Sequence, residues 1–268
     1  MAWVINVMEL AYSFAGLVVG FIVGLTGIGG GALMTPILIV GFGISPAVAV
    51  STDLLYAAVT KMGGVVPYAK QKLVNWQVVR AMLIGSVPGS LLTLWLLSGI
   101  EQPQLLEHLI NLTLGVSLVL TSVAVFLRNR IRTYVIELDA PKLKAAGRRW
   151  RLPVTSLAGF VLGMLVTLSS VGAGALGTAL LILLFPHMTM PMIVATDLVH
   201  AVVLTGIAGL GHWQLGHVDM TLLMYLLLGS LPGVYLGGCL GAKLSPKFMQ
   251  PLMGSLLLVI GLRFVLAG

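Results

Sequence analysis

The chain has 268 residues, of which 58% are hydrophobic and only 9% charged, with a mean hydropathy of +1.07. Soluble domains carry roughly 25% charged residues, so this composition points away from a soluble enzyme and to an all-α polytopic membrane protein. The formal charge of +7 does not make it a nucleic-acid binder, because 8 of the 15 Lys and Arg fall between Arg128 and Arg151 against only Glu137 and Asp139. A basic cluster beside membrane spans marks a cytoplasmic loop and places the chain in the cell membrane; a site for anionic lipid or a regulator is the second reading.

At about 20 apolar residues per span, the first half reads as a broken pair (about 10–26 and 31–43) and then about 47–67, 77–98 and 105–127. The basic linker 128–152 follows. The second half repeats the order with a broken pair at about 153–168 and 174–186, then about 190–211, 219–241 and 247–266. Pro46, Pro103, Pro153, Pro191 and Pro246 lie near segment starts, where a missing N–H does no harm. No basic residue precedes the first apolar run, so no cleaved signal peptide is expected. Cys239 is the sole cysteine, which excludes an intramolecular disulfide and a cysteine-built metal site.

Two stretches cannot be ordinary helix. Thr26-Gly27-Ile28-Gly29-Gly30-Gly31 interrupts the first apolar pair, and Ser169-Ser170-Val171-Gly172-Ala173-Gly174 interrupts the other. Gly29 and Gly172 are 143 positions apart, and the same offset carries Gly16 to Gly159, Gly20 to Gly163 and Thr35 to Thr178. At an offset of 144, Thr52-Asp53-Leu54 meets Thr196-Asp197-Leu198, and Gly85-Ser86-Val87-Pro88-Gly89 meets Gly229-Ser230-Leu231-Pro232-Gly233. The chain is a duplication, with residues 1–127 as the first repeat and 153–268 as the second.

Loop charge suggests how the repeats lie. The loop before segment 77–98 holds Lys70 and Lys72, whereas Gly211 to Val218, its counterpart, has neither Lys nor Arg. Ser98 to Leu105 has none either, whereas Gly241 to Lys247 holds Lys243 and Lys247. Opposite bias in equivalent loops implies inverted repeats. Inversion needs an odd number of crossings, so each half is expected to be a re-entrant helical hairpin with a glycine-rich tip, plus three transmembrane helices.

Backbone breaks survive in lipid only where protein or a wet cavity surrounds them. A helix restarting there offers free N–H groups and its positive dipole end, a setting for an anion. Candidate substrate-binding residues are therefore Thr26, Gly29, Gly30, Gly31, Ser169, Ser170, Gly172 and Gly174. Tight packing at a hairpin turn is the plainer alternative. Thr35 and Thr178 sit a turn further on, where a hydroxyl can bond its own backbone. Asp53, Lys61, Asp197 and His200 are ionisable residues well inside predicted spans, and such residues default to function. They are candidates for gating or for carrying a coupling proton or ion; Asp197 and His200 share a helix face and could pair. In the plainer account the aspartates brace the hairpins and Lys61 snorkels to the surface.

Gly16, Gly20 and Gly24 recur every fourth residue, as do Gly229, Gly233, Gly237 and Gly241, with Gly85 and Gly89 as a shorter pair. This spacing lets helices approach closely, and the second series would also serve a homodimer. No Gly-Lys-Ser/Thr follows the tip glycines, so they are not a P-loop. His108, His187, His212 and His217 lack metal-ligand spacing. No nucleophile–base pair suggests an enzyme, and no cofactor is implied.

These residues together resemble the TauE/SafE family, membrane transporters associated with export or uptake of sulfite, sulfonates and related sulfur-containing anions. The resemblance spans both halves. It rests on Gly27-Ile28-Gly29-Gly30-Gly31, on Ala49-Val50-Ser51-Thr52-Asp53-Leu54, on Gly63-Gly64 followed by a basic stretch, and on Val74-Asn75-Trp76 ahead of Gly85-Ser86-Val87-Pro88-Gly89. It implies a small anion as cargo, and the duplicated breaks suggest that the anion crosses the lipid bilayer by alternating access. The rivals are a transporter of a cation or neutral solute that uses Asp53 and Asp197, and a membrane scaffold that moves nothing.

Overall fold

A computed structural model describes residues 7–26, 31–138, 141–241 and 246–267. All the elements among them are helical, ten of them α-helices: α1 (Val7–Thr26), α2 (Gly31–Pro36), α3 (Pro46–Lys70), α4 (Trp76–Ser98), α5 (Pro103–Leu138), α6 (Pro141–Ser169), α7 (Ala175–Leu184), α8 (Met190–Gln214), α9 (Met220–Gly241) and α10 (Pro246–Ala267). α2 runs on into a π-helical turn, Ile37–Gly41. Six helices are long and apolar enough to cross a bilayer, among them Val7–Leu25 and Trp150–Ser169. The all-helical polytopic expectation holds.

Proline and capping chemistry set the starts. Pro46, Pro103, Pro141 and Pro246 open α3, α5, α6 and α10, and Pro191 is the second residue of α8. Pro153 differs from the sequence reading: it lies inside α6, which begins twelve residues earlier. The apolar part of α6 starts only at Trp150, so the missing N–H falls near the point of membrane entry. The basic stretch is thus helical on both sides of 139–140, as the end of α5 and the beginning of α6. α4 and α9 are capped alike: Asn75 Oδ1 accepts from the Val78 amide at 3.3 Å, and Asp219 Oδ1 from the Leu222 amide at 2.9 Å.

The two arms of each broken pair are unequal. Val7–Leu25 and Trp150–Ser169 have 19 and 20 residues, whereas Ala32–Gly41 and Ala175–Leu184 are short apolar helices. At about 1.5 Å per residue the first arms reach across a hydrocarbon core and the second arms about half of it.

The halves are interlocked by exchange. α1 packs on α9, and α6 packs on α4. A Cβ at Gly16, Gly20 or Gly24 would strike the backbone of Leu226, Ser230 or Val234, and one at Gly229, Gly233 or Gly237 would strike Ser13, Leu17 or Phe21. The other crossing repeats this: Gly159 and Gly163 meet Met82 and Ser86, while Gly85 and Gly89 meet Ser156 and Phe160. Close helix approach through small residues is the packing the spacing predicts. Because α1 fills the Gly229–Gly237 face, that face is taken within the chain.

Residue numbers rise together along both crossings, so each helix pair is parallel. The central pair behaves differently. Ser51 of α3 meets His212 of α8, and Leu55 meets Gly209, so α3 and α8 run antiparallel. Gly115 against Val265 and Gly261 against Val119 make α5 and α10 antiparallel as well.

Candidate functional site

The duplicated Thr-Asp dipeptide is a cross-brace. Thr35 Oγ1 donates to Asp53 Oδ2 at 2.5 Å, tying α2 to α3, and Thr178 Oγ1 donates to Asp197 Oδ2 at 2.9 Å, tying α7 to α8. The neighbouring threonines reach the opposite half: Thr52 Oγ1 accepts from the Asp219 amide at 3.2 Å, and Thr196 Oγ1 from the Asn75 amide at 3.0 Å. Each dipeptide therefore holds its own half-length helix with one side chain and the start of the other half's α9 or α4 with the next. Thr35 and Thr178 do not spend their hydroxyls on their own backbone, because a buried carboxylate is the stronger acceptor. The remaining oxygen of each carboxylate, Oδ1, is buried and has no partner among the described residues.

Antiparallel packing sets these two braces at opposite ends of the central pair. With Ser51 level with His212 and Leu55 with Gly209, Asp53 lies near the level of residue 211 and Asp197 near that of residue 67. Some fourteen residues of helix, about 21 Å, separate the two levels. Lys61 stands between them. It is 4% exposed, so it does not snorkel, and its Nζ donates to the Ala173 carbonyl at 2.6 Å. Asp197 and Asp53 are both close enough to act on its charge. The repeat-equivalent residue of α8, Thr205, turns its hydroxyl to the Ala201 carbonyl at 2.8 Å.

The break between α6 and α7 is built around that lysine. Ser169 closes the end of α6 by donating to the Leu165 carbonyl at 2.7 Å, and its oxygen accepts from the Val171 amide at 3.2 Å. Ser170 then takes φ 57°, a left-handed conformation rare for a residue with a Cβ. Gly172 (φ 103°) and Gly174 (φ 151°) turn the chain into α7. The Gly172 carbonyl collects the amides of Gly174, Leu176 and Gly177 at 2.7, 3.2 and 3.4 Å, and the Gly174 carbonyl takes that of Thr178 at 3.0 Å. The turn thus satisfies most of the amides a restarting helix would otherwise offer. Ser170 is 1% exposed, with Oγ unpartnered beside the Asp53 carboxylate but outside good hydrogen-bond geometry to it.

Of the residues singled out from sequence, Ser169, Ser170, Gly172, Gly174, Asp53 and Lys61 come together at this one break. Asp197 and His200 do not pair. Asp197 binds Thr178, and His200, fully buried, lies 2.9 Å through Nε2 from Ser86 Oγ on α4. Tyr56 occupies the repeat-equivalent position and lies beside Ser230 on α9. Thr26 ends α1 and Gly31 opens α2, while Gly29 and Gly30 lie outside the described residues.

His212 was set aside in the sequence for want of metal-ligand spacing. In the structure it is wholly buried between three helices, with Nδ1 2.9 Å from Ser51 Oγ on α3 and Nε2 3.0 Å from the Thr167 carbonyl on α6. A carbonyl cannot donate, so Nε2 carries a proton, and the one Ser51 hydroxyl proton is contested between the Ala47 carbonyl at 2.6 Å and His212 Nδ1. Nothing at the sequence level marks this role, since its repeat-equivalent residue is Tyr68.

The α6–α7 break, a buried lysine against one of its carbonyls, and the duplicated braces make up the candidate site. The model of the sulfite exporter TauE/SafE family matches residues 12–264. The chain belongs to that family. Relatives of this TauE/SafE protein include the "Probable membrane transporter protein YjnA" of Bacillus subtilis, 39% identical over 268 residues, with 96% of this chain and 100% of that protein covered. The "Probable membrane transporter protein YunE" of the same organism is 24% identical, covering 94% of this chain and 96% of its own. A protein of Methanocaldococcus jannaschii with the same description is 27% identical, with 93% and 94% covered. No solved structure matches.

Proposed function

We propose that this TauE/SafE protein is a secondary transporter of a small anion: sulfite, a sulfonate or another sulfur-containing oxyanion. One observation carries the reading. The ammonium group of Lys61 is buried near the centre of the antiparallel α3–α8 pair and bonds the carbonyl of a broken helix. A buried charge in a membrane protein is costly and marks a substrate or ion path. Only one of its three donors is spent on Ala173. The cargo would lie against the α6–α7 break, near Ser169, Ser170, Gly172 and Gly174, with Thr26 and Gly29 to Gly31 serving the matching break.

Alternating access through inverted repeats is the mechanism we assign. Antiparallel packing of repeat-equivalent helices, α3 with α8 and α5 with α10, supports it, because a dyad that reverses helix direction exchanges the two membrane faces. On this reading residues 128–152 are cytoplasmic, Asp53, Asp197 and His200 couple or gate, and the protein carries out no covalent chemistry.

Flux of sulfite into proteoliposomes tests the reading. Wild-type protein should move the anion, and Lys61→Met, checked for an unchanged unfolding temperature, should lose most of that flux. Absence of flux in wild type, or full flux in Lys61→Met, overturns it. The unpartnered Oδ1 atoms of Asp53 and Asp197 favour one other reading, a cation or neutral solute held by carboxylates. Asp53→Asn combined with Asp197→Asn separates the two, since a carboxylate-held cation would no longer bind.

A further inference from the structure

We propose that Lys61, Ser170 and Asp53 form a two-ended subsite: Lys61 Nζ and Ser170 Oγ hold an oxyanion group, while Asp53 Oδ1 accepts a hydrogen bond from a hydroxyl or amino group on the same solute. The transporter then selects anions that carry a donor over anions of equal size that carry none. This rests on the anion-transport reading and adds to it which anions are preferred.

Placement comes first. The stretch from Ser170 to Ala173 runs along α3, with Ser170 beside Asp53 and the Ala173 carbonyl on Lys61 Nζ. Asp53 and Lys61 are two helical turns apart, about 12 Å along the axis. Helical side chains lean toward the helix N-terminus, so the long Lys61 chain extends along the turns that lead to Asp53, and its charge acts on Asp53 as well as on Asp197. The three groups thus face one short piece of irregular backbone.

Hydrogen-bond capacity then defines the ligand. Lys61 has donors to spare and no acceptor. Ser170 Oγ is buried and unpartnered, on a residue held in a left-handed conformation. Strain of that kind persists where the surroundings enforce it, and it clusters at ligand clamps. Asp53 Oδ2 is occupied by Thr35, while Oδ1 is buried and makes no hydrogen bond in good geometry, even to the Ser170 hydroxyl beside the carboxylate. An acceptor without a donor is the half of the site that an ordinary anion leaves unpaired. A solute with an anionic head and a donor nearby satisfies all three groups; a donor-free anion strands Oδ1 and brings two negative groups together.

The arrangement occurs once. At the repeat-equivalent positions stand Gly27 in place of Ser170 and Thr205 in place of Lys61, so only the α6–α7 break has both the hydroxyl and the cation. Asp197 keeps the acceptor and lies within range of Lys61 and Arg128, but the hydroxyl is missing there, because Gly27 stands where the other break has Ser170.

A pair of matched probes tests this: 2-hydroxyethanesulfonate, which has a donor, and ethanesulfonate, which does not. Each is titrated as a competitor of sulfite uptake by wild-type proteoliposomes. The hydroxylated probe should compete at least about tenfold more strongly. Asp53→Asn, with its amide oxygen kept on Thr35, presents N–H where Oδ1 stood, so the ratio should fall toward one. Ser170→Ala should weaken both probes and leave the ratio intact. Equal competition in wild type, an unchanged ratio in Asp53→Asn, or no competition by either probe while sulfite still moves overturns the subsite and leaves anion transport standing. If sulfite itself does not move, both fall together. The wild-type comparison needs no variant, so misfolding of a mutant cannot mask the result.

Discussion

Lys61 and Thr205 stand at matching positions on the two antiparallel central helices, one with a buried charge bonded to a broken helix, the other with a hydroxyl folded back on its own backbone. Around them the frame is duplicated almost atom for atom: Thr35–Asp53 with Thr178–Asp197, Thr52–Asp219 with Thr196–Asn75, and one glycine crossing with the other. A symmetric frame with one asymmetric occupant separates what holds the fold from what distinguishes the proposed site. The braces and crossings are needed twice because two half-length helices must be anchored. Among the described residues the buried lysine is present once, at the break that also carries a buried serine, while the partly exposed Arg128 acts on Asp197.

The largest effect should come from the frame. A Cβ at Gly85 would land on the Ser156 carbonyl and one at Gly229 on the Ser13 carbonyl. Backbone cannot yield as a side-chain end can, so Gly85→Val and Gly229→Val should each cost more than about 4 kcal/mol. Both should abolish a monodisperse, folded peak in size-exclusion chromatography. If one is tolerated and the other is not, the two crossings are not equivalent supports.

Next comes the centre. Lys61→Thr should abolish sulfite flux without unfolding the protein, and adding Thr205→Lys should fail to restore it. The reason is that Gly27 offers no hydroxyl where the second break has Ser170. Restored flux in the double variant would mean that the dyad is functionally symmetric after all.

The smallest effect belongs to the braces. Thr35→Val and Thr178→Val each remove one hydrogen bond to a buried carboxylate, worth about 1.5–3 kcal/mol. Equal drops in unfolding temperature are expected. A drop confined to Thr178→Val would show that α2 is held mainly by other contacts.

Much of this was legible in the chain itself. Apolar length fixed the membrane class, and glycine spacing announced the close crossings, because small-residue periodicity has few other uses in lipid. Offsets of 143 and 144 revealed the duplication and paired Asp53 with Asp197. The partners of these residues were not legible. Thr35 and Asp53 are eighteen positions apart, Lys61 and Ala173 are 112, and Ser51 and His212 are 161. No local rule connects such positions. For that reason the chain gives no sign of the role of His212, and the shared helix face of Asp197 and His200 suggests a pairing that the fold does not make.

The sequence by itself determined that the protein lives in a bilayer, that it is built twice, and where its helices must break, since burial of apolar length and the cost of glycine are local properties. Only the tertiary structure decided that equivalent helices meet antiparallel, that the aspartates brace half-helices, and that Lys61 reaches the second break. Those depend on which distant surfaces fit together, and complementarity of that kind is a property of packed pairs that a linear order of residues does not display.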